Sequence, residues 1–244
     1  MRVDFVPPQS DSRRVAVLAS GVTLPGSLIG IGRNYRANGD ETARDPARIP
    51  LIFGKFANSV IGHDEQIVVP ASVTAVCEGE LALVVGTRVR SVRTESAALA
   101  ALAGVCLAND VSIRAWQDAD GQSTRGKSVD SFCPLGPEVV ALDALPGLAE
   151  RELTTRVNGK VVQRARIDRM WFSPAELVMF CSEFMTLYPG DLILTGTPDG
   201  PDTPIGEGDI VEVTLPGVAT LRNPVVEAVS ERCPQSEVTV GQAQ

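Results

Sequence analysis

The sequence predicts an α+β fold in which strands dominate and helices are few. The apolar stretches that follow residue 50 are short and are separated by Gly and Pro, which is typical of strands. Only two segments carry helix signals, and no internal repeat, low-complexity tract or linker divides the 244 residues. These observations predict a single domain with a β-rich core.

In chain order, residues 1–13 are predicted to form a short strand and a polar turn, and residues 14–24 a second strand. Residues 29–49 are rich in Arg, Asn, Asp and Gly and exceed an ordinary connection in length, which predicts a mobile loop with a short helix or a functional lid. Further strands are predicted for the apolar runs at residues 51–55, 66–69, 80–86, 103–109, 138–141, 191–195 and 209–215.

Two helices and one hairpin have explicit local signals. The Ala-rich run at residues 94–102 predicts the first helix. The second is predicted for residues 173–184, because Ser173 can cap it, Pro174 suits the first helical position and Glu176 is acidic in the first turn. Asn158-Gly159, within residues 154–162, predicts a hairpin turn.

The composition excludes several classes of protein. A chain of this length with 44% hydrophobic residues can bury a core, so it is not disordered. Its formal charge is −8 and it lacks a basic run, which argues against nucleic acid and anionic membranes as partners. No run of about 18 apolar residues occurs, so the sequence predicts no transmembrane helix. The five cysteines form no C-x-x-C pair and indicate reduced thiols, so we expect a cytoplasmic protein.

The motifs that are missing exclude common catalytic arrangements. His63 is the only histidine, and its place between two apolar runs predicts a solvated turn. No G-x-S-x-G nucleophile turn is present. Gly30-Ile31-Gly32 lacks the third glycine and the following helix of a dinucleotide turn. A zinc site with nitrogen and sulfur ligands is excluded as well.

Two carboxylates lead directly into a wholly apolar run. The strand period of two places Glu78 and Glu80 on one face, and Asp110 follows the apolar run at residues 104–108. Like charges held together at a buried strand repel each other unless a cation or a shared proton lies between them. Carboxylates are ligands for Mg²⁺ or Mn²⁺. From the pair alone, a cation site and a solvated strand end remain equal alternatives.

Six motifs occur in order along the chain: Gly32-Arg33-Asn34-Tyr35-Arg36, Glu78-Gly79-Glu80-Leu81-Ala82, Asn109-Asp110-Val111-Ser112, the segment from Gly126-Lys127-Ser128 to Pro137, Val157-Asn158-Gly159 to Gln163, and Pro189-Gly190-Asp191 to Pro198. Together, over residues 25–228, they resemble the fumarylacetoacetate hydrolase family. The resemblance implies a single-domain mixed β-roll of the family's C-terminal type, a catalytic metal, a homodimer and a small keto acid substrate. It divides the chain into N-terminal strands (1–24), the catalytic domain (25–228, lid about 32–49) and a tail (229–244).

The resemblance also implies roles for individual residues. It makes Glu78, Glu80 and Asp110 the ligands of Mg²⁺ or Mn²⁺, and Lys127 a cation that stabilises an enolate or carboxylate oxygen beside the metal. An ordinary surface lysine is the alternative for Lys127. Substrate contacts are implied for Gln117, Thr197, Arg33 and Tyr35, although Thr197 fits a plain turn after a buried strand equally well.

The sequence departs from the family in the lid. Hydrolytic and decarboxylating members carry a His-x-x-Glu pair where this chain has Asn38 and Glu41. An asparagine side chain cannot take a proton from water near neutral pH, so Glu41 or Asp40 would have to serve as the base. A second departure is Ala115, where an acidic residue often follows the arginine matched by Arg114.

Three functions remain open at this point. The first is C–C bond hydrolysis of an acylpyruvate-like 2-oxo or 2,4-dioxo carboxylate through a metal-bound enolate, as in aromatic-compound catabolism. The second is isomerisation, tautomerisation or decarboxylation of a 2-hydroxydienoate or an oxaloacetate-type acid. Isomerisation and tautomerisation need no activated water, and Asn38 favours them. The third is metal-dependent ligand binding without catalysis.

Overall fold

The computed structural model describes residues 26–37 and 39–228 and, before them, the backbone of three short strands within residues 5–23. Asn38 and the predicted tail at residues 229–244 lie outside the described residues. Secondary-structure elements are numbered in chain order.

The described part of the chain is dominated by strands. Its strands are β1 (Phe5–Val6), β2 (Val15–Leu18), β3 (Gly21–Thr23), β4 (Leu28–Gly32), β5 (Leu51–Lys55), β6 (Val60–Ile61), β7 (Ile67–Val69), β8 (Ala75–Val76), β9 (Gly79–Val85), β10 (Leu102–Asn109), β11 (Cys133–Val140), β12 (Glu152–Val157), β13 (Lys160–Arg166), β14 (Leu192–Leu194), β15 (Pro204–Ile205), β16 (Ile210–Leu215) and β17 (Ala219–Glu227). Its α-helices are α1 (Glu95–Ala100), α2 (Arg114–Asp120), α3 (Thr124–Lys127) and α4 (Pro174–Phe184). Short 3₁₀ turns cover Ala57–Ser59, Leu142–Ala144, Leu148–Glu150 and Ile167–Arg169.

Two sheets carry most of the architecture. One has seven strands in the order β5-β4-β14-β9-β10-β11-β6, and the other has five in the order β13-β12-β16-β17-β7. Strands β1 to β3 form a separate three-stranded sheet, and β8 pairs with β15. The predicted α+β fold with dominant strands is confirmed, as one domain with a curled sheet.

Strand β9 lies at the centre of the seven-stranded sheet and is buried along its whole length. Its side chains alternate between two apolar clusters. Leu81 and Leu83 belong to the cluster that also contains Leu177 of α4, whereas Ala82 and Val84 pack into a second cluster on the opposite face. A strand covered on both faces reads as a continuous apolar run. The two glutamates at its start are therefore carried into the interior.

Local signals predicted the best-defined helix and the hairpin. In α4, the Ser173 hydroxyl accepts a hydrogen bond from the Glu176 N–H at 3.3 Å, and the Glu176 carboxylate accepts one from the Ser173 N–H at 2.8 Å. This reciprocal pair is a capping box. The predicted hairpin turn at Asn158 joins β12 and β13.

Several boundaries were predicted wrongly. Residues 28–32, assigned partly to the loop, form β4, where Gly30 leaves space for the ring of Phe53. Residues 14–24 contain two antiparallel strands instead of one. β11 begins at Cys133, five residues before its predicted start at residue 138. β17 was not predicted, because Pro224 interrupts its sequence. Helices α2 and α3 were not predicted either, and they lie in a segment with mostly polar residues.

None of the helices in the described part of the chain has both the length and the apolar composition needed to cross a bilayer.

Candidate functional site

The three predicted carboxylates meet where β9 begins and β10 ends. The two strands are antiparallel, and Asn109 pairs with Gly79, so the residues flanking this pair lie side by side. The Asp110 N–H donates to the Glu78 carbonyl oxygen at 2.8 Å, and the Glu78 N–H donates to the Asn109 side-chain oxygen at 2.9 Å. One carboxylate oxygen of each of Glu78, Glu80 and Asp110 lies within 4.8 Å of the others, and all three residues are buried. The solvated alternative for the strand end is therefore wrong.

Three cationic side chains contact two of these carboxylates. The ammonium group of Lys127 donates to Glu78 Oε2 at 2.9 Å and also to Asp110 Oδ2. Lys55 forms an ion pair with Asp110 Oδ1 at 2.7 Å, and Arg114 forms one with Glu78 Oε1 at 2.8 Å. Burial raises the pKa of Asp110, but the ion pairs with Lys127 and Lys55 outweigh burial and lower that pKa overall. Burial lowers the pKa of Lys127, but the carboxylates raise it overall, so this lysine carries its proton.

Glu80 differs from the other two carboxylates. Among the described residues it forms no salt bridge, and its Oε2 accepts a hydrogen bond from the Gly196 N–H at 2.7 Å. Burial and the charges of Asp110 and Glu78 raise its pKa well above the usual range, although Lys127 acts in the opposite direction. A set of three buried carboxylate donors, one without a cationic partner, fits a hard divalent cation.

Glu78, one of the three carboxylates, lines a cavity of about 560 Å³. The structure brings the predicted substrate-binding residues and Lys127 to its walls, and these are Arg33, Tyr35, Gln117, Lys127 and Thr197. The side chain of Lys127 is only 4% exposed, so the surface-lysine alternative is wrong. Asp118, Asp199 and Asp202 also line the cavity.

The predicted contact residues differ in how they are already engaged. The Thr197 hydroxyl donates to the Gly79 carbonyl oxygen at 3.0 Å, so it holds the backbone between Glu78 and Glu80. The Gln117 side-chain oxygen accepts from Arg114 at 3.3 Å. The Tyr35 hydroxyl and the Gln117 amide nitrogen have no hydrogen-bond partner among the described residues.

The structure does not bring Glu41 to the cavity. Its side chain is 81% exposed and pairs with Arg169 at 3.0 Å, in a surface depression that Arg36 also lines. Asp40 accepts hydrogen bonds from the backbone and the hydroxyl of Thr42, at 2.9 and 2.7 Å. Asn38 lies outside the described residues. Neither Asp40 nor Glu41 lines the cavity, so in this arrangement neither is placed to take a proton from a water molecule or a substrate bound there.

His63 lies in a turn, as predicted. It follows β6 and precedes β7, and its Nδ1 accepts a hydrogen bond from the Arg222 N–H at 3.1 Å. It is not among the residues that line the cavity.

Sequence analysis missed three polar residues at the site. Lys55 was predicted only as the end of a strand, yet its side chain is fully buried against Asp110. Asp202 pairs with Arg114 at 3.0 Å and supplies the carboxylate that is lacking at Ala115. Gln163 lines the cavity and contacts the backbone between the two glutamates. Gln163 had a detectable signal, because it ends one of the six motifs, whereas the burial of Lys55 is visible only in the structure.

Comparison with known proteins agrees with this geometry. Residues 27–226 match the family described as fumarylacetoacetate (FAA) hydrolase, C-terminal. Oxaloacetate tautomerase Fahd2a, mitochondrial, of Rattus norvegicus is 36% identical over 213 residues, which cover 84% of this chain and 68% of the relative.

Two solved structures show the same fold. A 5-carboxymethyl-2-hydroxymuconate delta-isomerase from Mycobacterium smegmatis superposes with a TM-score of 0.80 at 36% identity, covering 93% of this chain and 94% of the other. A fumarylacetoacetate hydrolase from the psychrophilic Exiguobacterium antarcticum gives a TM-score of 0.77 at 33% identity, covering 87% and 82%. The chain belongs to the fumarylacetoacetate hydrolase family, whose members include hydrolases, isomerases and tautomerases.

Proposed function

We propose that this protein is a Mg²⁺- or Mn²⁺-dependent tautomerase or isomerase of a small 2-oxo dicarboxylate. The observation that carries the proposal is the character of the cavity wall. Among the described residues, the wall contains Lys127 and two arginines but no histidine, and the only histidine of the chain is held in a turn by Arg222. C–C bond hydrolysis requires an activated water, whereas tautomerisation moves one proton between C3 and the C2 oxygen and consumes no water.

Glu78, Glu80 and Asp110 would hold the divalent cation, which would supply Lewis-acid polarisation of the 2-oxo group. The remaining tasks fall to side chains of the cavity. The ammonium group of Lys127 lines the cavity and contacts two of the carboxylates, so it can donate a hydrogen bond to the C2 oxygen of the substrate as that oxygen gains negative charge. Little reorganisation is needed at that moment, because the ammonium group is already fixed.

Arg33 is the group we assign to the second carboxylate of the substrate. It lines the cavity, is exposed and forms no ion pair with another described residue. Its φ of 55° places it in the left-handed region just after β4 ends, at the entrance to the predicted lid. A relative named as an oxaloacetate tautomerase and a solved structure named as a 5-carboxymethyl-2-hydroxymuconate isomerase support a substrate with at least one carboxylate besides that of the 2-oxo acid.

The proposal is tested by measuring which product forms. We expect the enol-to-keto conversion of oxaloacetate to depend on added Mg²⁺ or Mn²⁺ and to stop when a chelator is added. The loss of enol absorbance measures this conversion. Isomerisation of a 5-carboxymethyl-2-hydroxymuconate-type dienoate is the second reaction to be measured. Hydrolysis of an acylpyruvate and decarboxylation of oxaloacetate are measured as the competing reactions. Pyruvate released from an acylpyruvate faster than either proton transfer would contradict the proposal.

Lys127→Met tests the assigned hydrogen-bond donor. We expect the exchange rate to fall roughly 10²- to 10³-fold, because removal of one donor at a developing negative charge has an effect of that size. Lys160→Met is the matched control, since Lys160 is an exposed lysine at the start of β13. An equal loss in both variants would argue against a role for Lys127 in proton transfer.

Asn38→His tests whether the lid residue selects the reaction. Restoring a titratable nitrogen at this position should increase acylpyruvate hydrolysis more than it changes keto–enol exchange. Product identification by chromatography measures both reactions on the same samples. If the two activities change by the same factor, Asn38 does not select between them.

A further inference from the structure

The backbone between the two glutamates is held on one side by side chains instead of by a strand. Strand β14 pairs with β9 at Ala82, Leu83 and Val84 only. Beyond that point, Thr195 still donates to the Leu81 carbonyl oxygen, from its N–H at 3.0 Å and its hydroxyl at 2.9 Å. Gly79 lies two residues further along the same edge of β9, and no strand in the described part of the chain pairs with it there.

Two side chains that line the cavity satisfy the peptide groups of Gly79. The Gly79 N–H donates to Gln163 Oε1 at 3.1 Å, and the Gly79 carbonyl oxygen accepts from the Thr197 hydroxyl at 3.0 Å. Gln163 is 5% exposed, and its amide nitrogen donates to the Pro198 carbonyl oxygen at 3.4 Å. The side chain therefore connects β13 of the five-stranded sheet to both β9 and the segment after β14.

We infer that Gln163 is a positioning residue for the divalent cation. The peptide groups on either side of the Gly79 Cα connect Glu78 to Glu80, so a rotation of this backbone changes the separation and direction of both carboxylates. Gln163 fixes the N–H side of Gly79 from a different sheet. Partners that orient the ligands of a metal affect its affinity although they do not touch it.

A packing role alone would predict a different result. Thr155 lies opposite Gln163 in the β12–β13 pairing, is fully buried and packs against Gly79, but its hydroxyl has no hydrogen-bond partner among the described residues. Thr155→Val preserves the shape beside Gly79 and removes no hydrogen bond to it. It is therefore a matched control for loss of the Gln163 contact.

Calorimetric titration of the full chain with Mn²⁺ alone tests the inference. We expect Gln163→Met to bind Mn²⁺ roughly 10-fold more weakly, Gln163→Glu to retain most of the affinity because an acceptor for the Gly79 N–H remains, and Thr155→Val to match the wild type. Thermal unfolding without metal checks the fold of each variant. If Gln163→Met does not fold, Thr197→Val removes the second contact to Gly79 and should also weaken Mn²⁺ binding.

The inference rests on the proposed function only in requiring a cation at the three carboxylates. Unchanged Mn²⁺ affinity in folded Gln163→Met, or equal weakening in Thr155→Val, would overturn it. A wild type that binds neither Mn²⁺ nor, in a second titration, Mg²⁺ overturns both this inference and the proposed function. A wild type that binds Mn²⁺ but catalyses neither proton transfer overturns the proposed function alone, and the calorimetric difference between the variants then still supports the role of Gln163.

Discussion

Gly79 shows how a single residue constrains the site. A Cβ added at this position would overlap the hydroxyl oxygen of Thr155 and lie 3.1 Å from both methyl carbons of Val213. Gly79 is not among the glycines with a positive φ, so close packing alone excludes a side chain here. The two neighbouring glutamates can therefore lie close to the five-stranded sheet that carries Gln163.

We predict that Gly79→Ala lowers the free energy of unfolding by about 1–3 kcal/mol, the usual effect of overpacking a tight interior. Gly54→Ala is the control, because a Cβ at Gly54 meets no atom within 4 Å in a strand of the same sheet. Urea unfolding without metal measures both variants. Equal destabilisation would mean that the packing beside Gly79 relaxes freely.

Side-chain contacts connect the start of helix α4 to the segment before β5. The guanidinium of Arg44 lies 4.5 Å from the centre of the Phe172 ring and pairs with Glu176 at 2.7 Å. Arg36 and Arg48 contact the ring of Trp171, at 4.4 and 4.6 Å from its centre. The predicted lid is thus attached to the start of α4 through arginine–aromatic contacts and one ion pair.

Glu176→Gln tests the charged part of this connection. Partial burial raises the pKa of Glu176, but hydrogen bonds from Arg44 and Ser173 outweigh it and lower the pKa below its ordinary value of 4.5. A lowered pKa stabilises the fold above the unfolded value, and this stabilisation is lost as the pH falls through the folded value. We therefore expect the variant to be less stable than the wild type at pH 7, and the difference in urea midpoint to shrink as the pH falls below 4.5 and through the lowered pKa of Glu176. A difference that persists in acid would point to packing instead of charge.

The elements that could be predicted are those with local signals. The capping box of Ser173 and the Asn158-Gly159 turn each act within four residues, so sequence alone located α4 and the β12–β13 hairpin. Strand β4 was missed because the glycines that suggested a loop are required by packing against Phe53, which is distant in sequence. The three carboxylates were found through strand period and resemblance. The ion pair between Lys55 and Asp110 was not predicted, because the two residues are distant in sequence and only the folded sheet brings them together.

At the scale of the whole molecule, the formal charge of −8 is distributed unevenly. Three of the 30 acidic side chains are buried in one cluster, where Lys55, Lys127 and Arg114 neutralise Glu78 and Asp110 but leave Glu80 without a salt bridge to a described residue. Burying an unpaired charge costs folding free energy. The stability of the chain should therefore depend on whether a cation is bound.

Glu80→Gln tests this dependence, because the substitution keeps the shape of the side chain and removes one charge. Without metal, the variant should unfold at a higher temperature than the wild type, since a neutral amide avoids the cost of burying a carboxylate and its repulsion by Asp110 and Glu78. Added Mn²⁺ should raise the unfolding temperature of the wild type, with a gain of about 2.7 kcal/mol at a concentration 100 times the Kd. The variant should gain little, so the order of the two proteins reverses as Mn²⁺ increases. Calorimetric melting over a Mn²⁺ series measures the reversal, and parallel gains in both proteins would show that Glu80 does not bind the cation.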